Sequence, residues 1–519
     1  MNRFQWLAGK QSQAMNMKNR ERKDLQTNLL GNAPALIACV AVLGSIGCSG
    51  SATSSGGGLT SGVSTTYTVG GTLAGLGVGQ SVSLQDKGGG ALTLSANGAF
   101  SFPTSLDTGS AYAVTVQSHT PGIACSVSSG SGTVGPANVT GISVSCSAGT
   151  ERILYSFGAS ATDGVVPNGP LVVDSSGNVY GTTVDGGVNG LYDGTVFKIS
   201  AAGTETTLYS FGASATDGQV PIGGLVIDAA GNLYGTTEYG GVNGDGTVFK
   251  IDTAGEETIL HSFGIGFTDG GVPSAGLIMD SAGDLYGMTD LGGANGGGTV
   301  FKIDAAGKET ILYSFAANSS DGVHPSGGLI MDGAGNLYGT TRAGGFGYGT
   351  VFKLNSSGTE TVLYAIGASL DGEYPEGGLA LDSAGNLYGT TAYAQESSGT
   401  VFEIGADGTA TLLYAFGTTV NDESDGATPD ASLVVDSAGN LYGTTIGGGT
   451  NNERLGGYGT VYRIEKIGSS ITETVLYSFG ASATDGTGPN SLIVDSAGNL
   501  YGTTVNGGAN GKGTIFAID

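Results

Sequence analysis

Seven aspartates, Asp163, Asp217, Asp269, Asp321, Asp371, Asp425 and Asp485, each stand directly before a glycine, one per repeat of about 50 residues. A carboxylate repeated in this way has two uses. Asp before Gly forms turns, its side chain accepting backbone N–H bonds. A ring of such carboxylates near a common axis would instead hold Ca²⁺ or a cationic ligand. One carboxylate per unit makes no tight site alone. A second series, Asp174, Asp228, Asp280, Asp332, Asp382, Asp436 and Asp495, precedes "SAGN"-like turns and reads as turn-forming, on the opposite face. His119, His261 and His324 are scattered over separate segments, so neither a metal triad nor a Ser-His-Asp arrangement is expected. Paired carboxylates for glycoside hydrolysis are set by three-dimensional geometry, which spacing does not reveal. In so regular a chain, a one-off functional residue stands out as a departure from the repeat. The clearest departures are His324, Arg342, Glu373, Glu376, Glu396, Glu423, Glu453 and Arg454, clustered in the fourth to sixth units. Arg342, Glu423 and Arg454 join the seven aspartates as candidate ligand-binding residues; no catalytic residue is assigned.

The elements that must position these residues are short strands. "GNLYGTT" at 335–341 returns with small changes at 177, 231, 283, 385, 439 and 498. Each unit holds four β-like pieces, as in "GGLVID" from Gly223, "NLYGTT" from Asn232, "GTVFKID" from Gly246 and "ETILHSFG" from Glu257, with Gly, Asn, Asp and Ser at every junction. No stretch has a helical apolar period of useful length. Four antiparallel strands per unit, repeated seven times, predict a seven-bladed β-propeller over 150–519. A solenoid would need capping repeats at its ends. Here the region opens with a fourth strand, "TERILYSFG" (150–158), and closes with a third, "GTIFAID" (513–519). The N-terminal strand would complete the last blade and remove both open edges. The loops between blades and those between second and third strands would then share one face, where binding residues usually sit.

The unit "LYSFGASATDG..P.GGL..D..GNLYGTT..GG....GTVFK" resembles the GloVer tandem repeat, found in exported bacterial proteins described as choice-of-anchor because members use different terminal anchors. The resemblance covers residues 150–519. It implies export and surface attachment, and no established activity. The chain stops at Asp519 inside a strand, which leaves Cys48 as the visible anchor candidate.

Composition agrees with export and excludes some partners. With 99 glycines and a formal net charge of -26, the chain would repel nucleic-acid phosphates. Its 22 Tyr and 17 Phe recur at fixed places, unlike a disordered Gly/Ser chain. Basic residues Lys18, Arg20, Arg22 and Lys23 precede the apolar run "APALIACVAVLGSIG", about 15 residues and too short to span a bilayer. Residues 1–47 read as a signal peptide of lipoprotein type. "SIGC" resembles a lipobox that would lipidate Cys48; Ser45 stands where Leu is usual, so ordinary signal cleavage stays open. Residues 48–65 form a Ser/Gly tether. The expected address is a lipoprotein of the outer membrane or cell surface, alternatively a periplasmic or secreted protein.

Residues 66–147 lack the repeat and alternate in short runs between turns, which predicts a small Ig-like β-sandwich acting as a spacer. Cys125 and Cys146, at the ends of adjacent runs in an exported chain, read as a disulfide. The functional expectation is a monomeric, non-enzymatic module binding protein or glycan, without a cofactor unless Ca²⁺, and touching membrane only through its lipid. The alternative is a propeller-type hydrolase or lyase acting on carbohydrate-derived substrates.

Overall fold

The computed structural model describes residues 65–518 apart from 78, 89, 191, 265–267, 317, 319, 368–371, 395–396, 419–422, 452–456 and 468–469. These residues fall within one compact unit, Ser64–Asp519. The export segment, Cys48, Asp371, Glu396, Glu453 and Arg454 lie outside the described residues. Among the described residues the protein is all-β, and no helix is long and apolar enough to cross a membrane.

Each repeat folds into one antiparallel sheet. In the second, Val226–Ile227, Leu233–Thr237, Thr247–Ile251 and Glu257–Ser262 pair in chain order. The "LYGTT" strand owes its glycine to an aromatic ring: a Cβ on Gly235 would lie 2.6 Å from Phe249 Cζ. Its last threonine is sealed inside the sheet, where Thr237 Oγ1 pairs with Thr247 Oγ1 at 2.8 Å. The same Thr–Thr bond recurs in all seven sheets.

Sheets pack on their neighbours through aromatic edges. A fourth-strand Phe of one sheet meets a third-strand ring of the next, as in Phe211–Phe249 at 4.9 Å and Phe263–Phe301 at 5.0 Å. Each such contact is worth about 0.5–1.5 kcal/mol beyond the area it buries. The series includes Phe157 against Phe197, although these belong to the first fourth-strand segment and the first complete sheet.

The chain ends pair as expected. Strand Glu151–Ser156 runs antiparallel to Thr514–Ile518 and completes the sheet that also contains Gly486–Val494 and Leu500–Gly507. The innermost strand differs from the six-residue expectation. In five of the seven sheets, its run into the Asp turn is a two-residue pairing such as Val226–Ile227 or Ile278–Met279. The reason lies in the small residues just before it, Gly-Gly in three of these units, Ala275-Gly276 and Ala431-Ser432 in the other two. These segments leave their own sheet and pack backbone to backbone on the neighbouring unit, so a Cβ on Gly223 would sit 2.6 Å from Gly276 N and one on Gly327 2.4 Å from Gly377 C.

Residues 65–148 form two four-stranded sheets over a shared core that includes Val69, Leu73, Val82, Leu84, Phe102, Val114, Ile142 and Val144. Cys125 and Cys146 face each other on paired strands and are joined by a disulfide. The module rests directly on the last repeats. His119 N donates to Ala497 O at 2.8 Å, and Gly122 packs against Leu476 with no room for a Cβ.

Candidate functional site

The second aspartate series is a turn anchor. Asp228 Oδ1 accepts the N–H groups of Ala230 and Asn232, both at 2.9 Å, and Oδ2 accepts Asn232 Nδ2 at 2.7 Å and the Tyr234 hydroxyl at 3.0 Å. Burial pushes this carboxyl up, but the bonds from Asn232 and Tyr234 outweigh it and hold it below the usual range; Asp332 is lowered to about 2 in the same way. These residues order the turn that enters each "LYGTT" strand.

Five of the first series, Asp163, Asp217, Asp269, Asp321 and Asp485, are buried between sheets, and Asp425 is half-buried. Asp163, Asp217 and Asp485 are 7%, 3% and 4% exposed. Each accepts a hydroxyl bond from a fourth-strand tyrosine, for example Tyr209 to Asp217 Oδ2 at 3.0 Å and Tyr477 to Asp485 Oδ2 at 3.0 Å. Backbone N–H groups of Ala159, Ala213 and Ala481 add a second bond. A glutamate from the next sheet's fourth strand completes the group: Tyr209 also donates to Glu257 Oε2 at 3.4 Å. Burial, then the charge of the neighbouring Asp, raises Glu151, Glu257, Glu309 and Glu360 to about 7 and Glu473 to about 8. Each of these glutamates therefore holds its proton further toward neutrality than a free carboxyl does. These glutamates were not singled out in sequence, although Glu opens the fourth strand in five units, Glu473 lies within the longer Ser470–Ser478, and Ala410 replaces it in the other. At one junction His261 stands in the tyrosine position, with Nε2 3.3 Å from Asp269 Oδ2.

A cavity of about 320 Å³ lies elsewhere, lined by the inner segments of all seven units, including Pro170, Ile222, Ser274, Gly327, Glu376, Asp430 and Asn490. None of the described Asp-Gly aspartates lines it. Each inner segment enters through a strained residue before proline. Val166, Val220, Val272, His324, Tyr374 and Thr428 hold φ between 57° and 59°, and Gly488 holds 65°. A non-glycine residue in this region costs about 1–2 kcal/mol, so surrounding contacts must over-determine it. One such contact is an N–H bond to the preceding unit, as from Val220 to Asp193 O at 3.1 Å and His324 to Gly297 O at 3.0 Å. The bond from Val166 to Lys512 O, at 2.9 Å, joins the first unit to the last.

Two residues after each strained position, the series reads Asn168, Ile222, Ser274, Ser326, Glu376, Asp430 and Asn490. Asn490 Nδ2 donates to Asn168 Oδ1, and Thr503 donates to Asn490. Glu376 and Asp430 come from adjacent units, and both act on Tyr393, whose hydroxyl is pushed up to about 12 by burial and then by these charges. Glu376 stands out in sequence as a departure from the repeat; Asp430 does not, because it sits inside a long variable loop. His324 Nδ1 and Arg342 Nη2 converge on Asp290 Oδ1 at 3.2 and 3.6 Å. Glu423 Oε1 accepts a bond from Ser398 at 3.1 Å.

The loops between second and third strands carry exposed apolar groups in the first four units: Val188, Tyr192, Tyr239, Val242, Leu291 and Phe346. Phe346 is 77% exposed and Val242 73%. Among the described residues these groups fall in the first four units, whereas the charged departures from the repeat cluster in the fourth to sixth.

A family sequence profile matches residues 100–281, 265–453 and 418–519, and so accounts for most of the chain. The chain belongs to the Gloeobacter/Verrucomicrobia repeat family. No curated protein sequence matches it. Among solved structures, this family member is similar to the extracellular domain of a B. thetaiotaomicron protein assigned to the one-component systems, at 12% identity and a TM-score of 0.44. That match covers 70% of this chain and 39% of the other, so the chain spans well under half of that relative. A gluconolactonase of Xanthomonas campestris matches at 14% identity with a TM-score of 0.36, over 72% of this chain and 90% of its own.

Proposed function

We propose that this chain is an exported seven-bladed β-propeller that binds a protein or glycan through the loops between second and third strands, without catalysing a reaction. The cyclic series of contacts between units supports the propeller, with each sheet as one blade and residues 150–158 completing the last. The observation that carries the binding reading is the run of exposed apolar groups Val188, Tyr239, Val242, Leu291 and Phe346 on the first four blades. Exposed apolar groups gathered on one sector, rather than scattered, mark interaction sites. The two-sheet module at 66–147 is the Ig-like part, and its contact with the last repeats sets the propeller's orientation on its tether.

A glycan array probed with the intact protein, with and without Ca²⁺, tests this reading alongside Val242→Ser/Phe346→Ser. The double variant should lose at least about 10-fold in affinity while melting normally, since surface substitutions leave stability nearly unchanged. Binding that survives the substitutions would remove these loops from the site. The cavity carboxylates Glu376 and Asp430 favour a second reading, a hydrolase or lyase for carbohydrate-derived substrates. Turnover of such a substrate, lost in Glu376→Gln, would replace the binding proposal.

The disulfide Cys125–Cys146 supports an oxidising compartment. We infer attachment through a lipid on Cys48, with periplasmic or secreted protein as the outcome if that cysteine is not modified. Cys48→Ser should move the protein from the membrane fraction to the soluble fraction. Wild-type protein already soluble after fractionation would rule the lipid out.

A further inference from the structure

At five of the six junctions whose Asp-Gly aspartate is described, the residue facing it is tyrosine, Tyr155, Tyr209, Tyr313, Tyr414 or Tyr477, and Tyr364 holds the same sequence position in the remaining unit. The exception is His261. A phenol hydroxyl can only donate to a carboxylate there, whereas an imidazole nitrogen can also ligate a metal. His261 ends the strand Glu257–Ser262, Asp269 lies in the following loop, and Glu309 opens the strand Glu309–Ser314 of the next blade. Their ligand atoms all lie within 4.8 Å of one another, a grouping that no other His, Cys, Asp or Glu residues reach among the described residues.

We propose that His261, Asp269 and Glu309 form a site for a late first-row divalent cation, Zn²⁺ being the best suited, which clamps the second blade to the third. Nε2 of His261 stands 3.3 Å from Asp269 Oδ2. Zn²⁺ held at about 2.0–2.1 Å from each ligand in a tetrahedron separates neighbouring ligands by about 3.3–3.4 Å, so this pair already spans one tetrahedral edge. Glu309 supplies a further vertex. Its Oε1 is sealed from solvent without a hydrogen-bond partner, as are those of Glu151, Glu257, Glu360 and Glu473, so the imidazole is what sets this junction apart. Asp269 is held in place through its other oxygen, which accepts the Gly270 N–H at 2.8 Å. The imidazole is braced edge-on against Phe263 at 4.7 Å. The His261 side chain keeps 15% of its surface exposed, which admits the ion and leaves the fourth position to water. The mixed N/O donor set favours Zn²⁺ and its neighbours over Ca²⁺, which takes six or more oxygens.

The consensus itself provides the control. His261→Tyr restores the residue that the other six units carry at this position, so it should fold normally and remove the one nitrogen ligand. The untagged protein, stripped with chelator and titrated with ZnCl₂, should take up one equivalent and melt several degrees higher. With CoCl₂ it should show the visible absorption of a low-coordinate Co²⁺ centre. His261→Tyr should melt as the stripped protein does and give neither uptake nor absorption. Absence of stoichiometric uptake by the wild type would overturn the proposal, as would equal uptake by His261→Tyr or a preference for Ca²⁺ over Zn²⁺. This test reads a cation held between blades, independently of any ligand on the loop face.

Discussion

Deleting residues 150–158 lowers the melting temperature by about 10 °C and leaves the protein prone to aggregation. The segment carries the whole strand Glu151–Ser156, which is the outer partner of Thr514–Ile518. It also carries Phe157, which is 1% exposed and packs on Phe197 at 5.0 Å. Losing one buried Phe costs about 3–5 kcal/mol, and each kcal/mol shifts the melting point of a large domain by about 2–4 °C. The deletion bares a strand edge, which recruits other chains. A linear array would respond differently, since removing a terminal strand would only fray one end. Calorimetry with size-exclusion chromatography distinguishes the two. A truncated protein that stays monomeric and melts unchanged would refute the closed ring.

Raising the pH from about 5 to about 8 lowers the melting temperature by about 5 °C or more. Glu151, Glu257 and Glu360 are raised to about 7 and Glu473 to about 8, from an ordinary 4.5, by burial and then by the adjacent Asp485, Asp217, Asp321 and Asp425 respectively. The folded chain therefore keeps protons that the unfolded chain has already released. Their stabilisation is complete below the unfolded value and disappears as the pH rises through the folded one. Partial solvent contact screens each pair and keeps its share modest. The turn aspartates act with the opposite sign. Asp174, Asp228 and Asp382 are lowered, and Asp332 reaches about 2, so their stabilisation is present above the ordinary 3.8 and is lost in acid. Stability should peak near about pH 4, between the ordinary aspartate and glutamate values. Melting curves across these pH values, with Glu257→Gln, Glu360→Gln and Glu473→Gln, check the cause. The substitutions should flatten the alkaline limb; a wild-type profile that is level or rising from about pH 5 to 8 would sink it.

Much of the architecture is written in local pattern. The four strands of each unit, the pairing of 150–158 with 513–519 and the Asp turn before "LYGTT" all follow from turn residues and period-2 alternation, interactions spanning a few residues or one sheet. The disulfide was legible for a similar reason, because the strands carrying Cys125 and Cys146 are neighbours in both sequence and sheet.

Contacts between units were not legible, because they join residues about 50 positions apart whose types are ordinary in isolation. The Asp-Gly carboxylates look alike as turn formers or as ligands. Only packing of adjacent sheets put them beneath tyrosines and beside Glu257, Glu360 or Glu473 rather than in the cavity. Glu376 and Asp430 meet at that cavity for the same reason: their small-residue segments, Gly377-Gly378 and Ala431-Ser432, leave their own sheets to pack on one another. His261 reads as a stray histidine along the chain. Tertiary structure alone brings Asp269 from the next loop and Glu309 from the next sheet to its imidazole, because only sheet-on-sheet packing makes residues of different repeats neighbours.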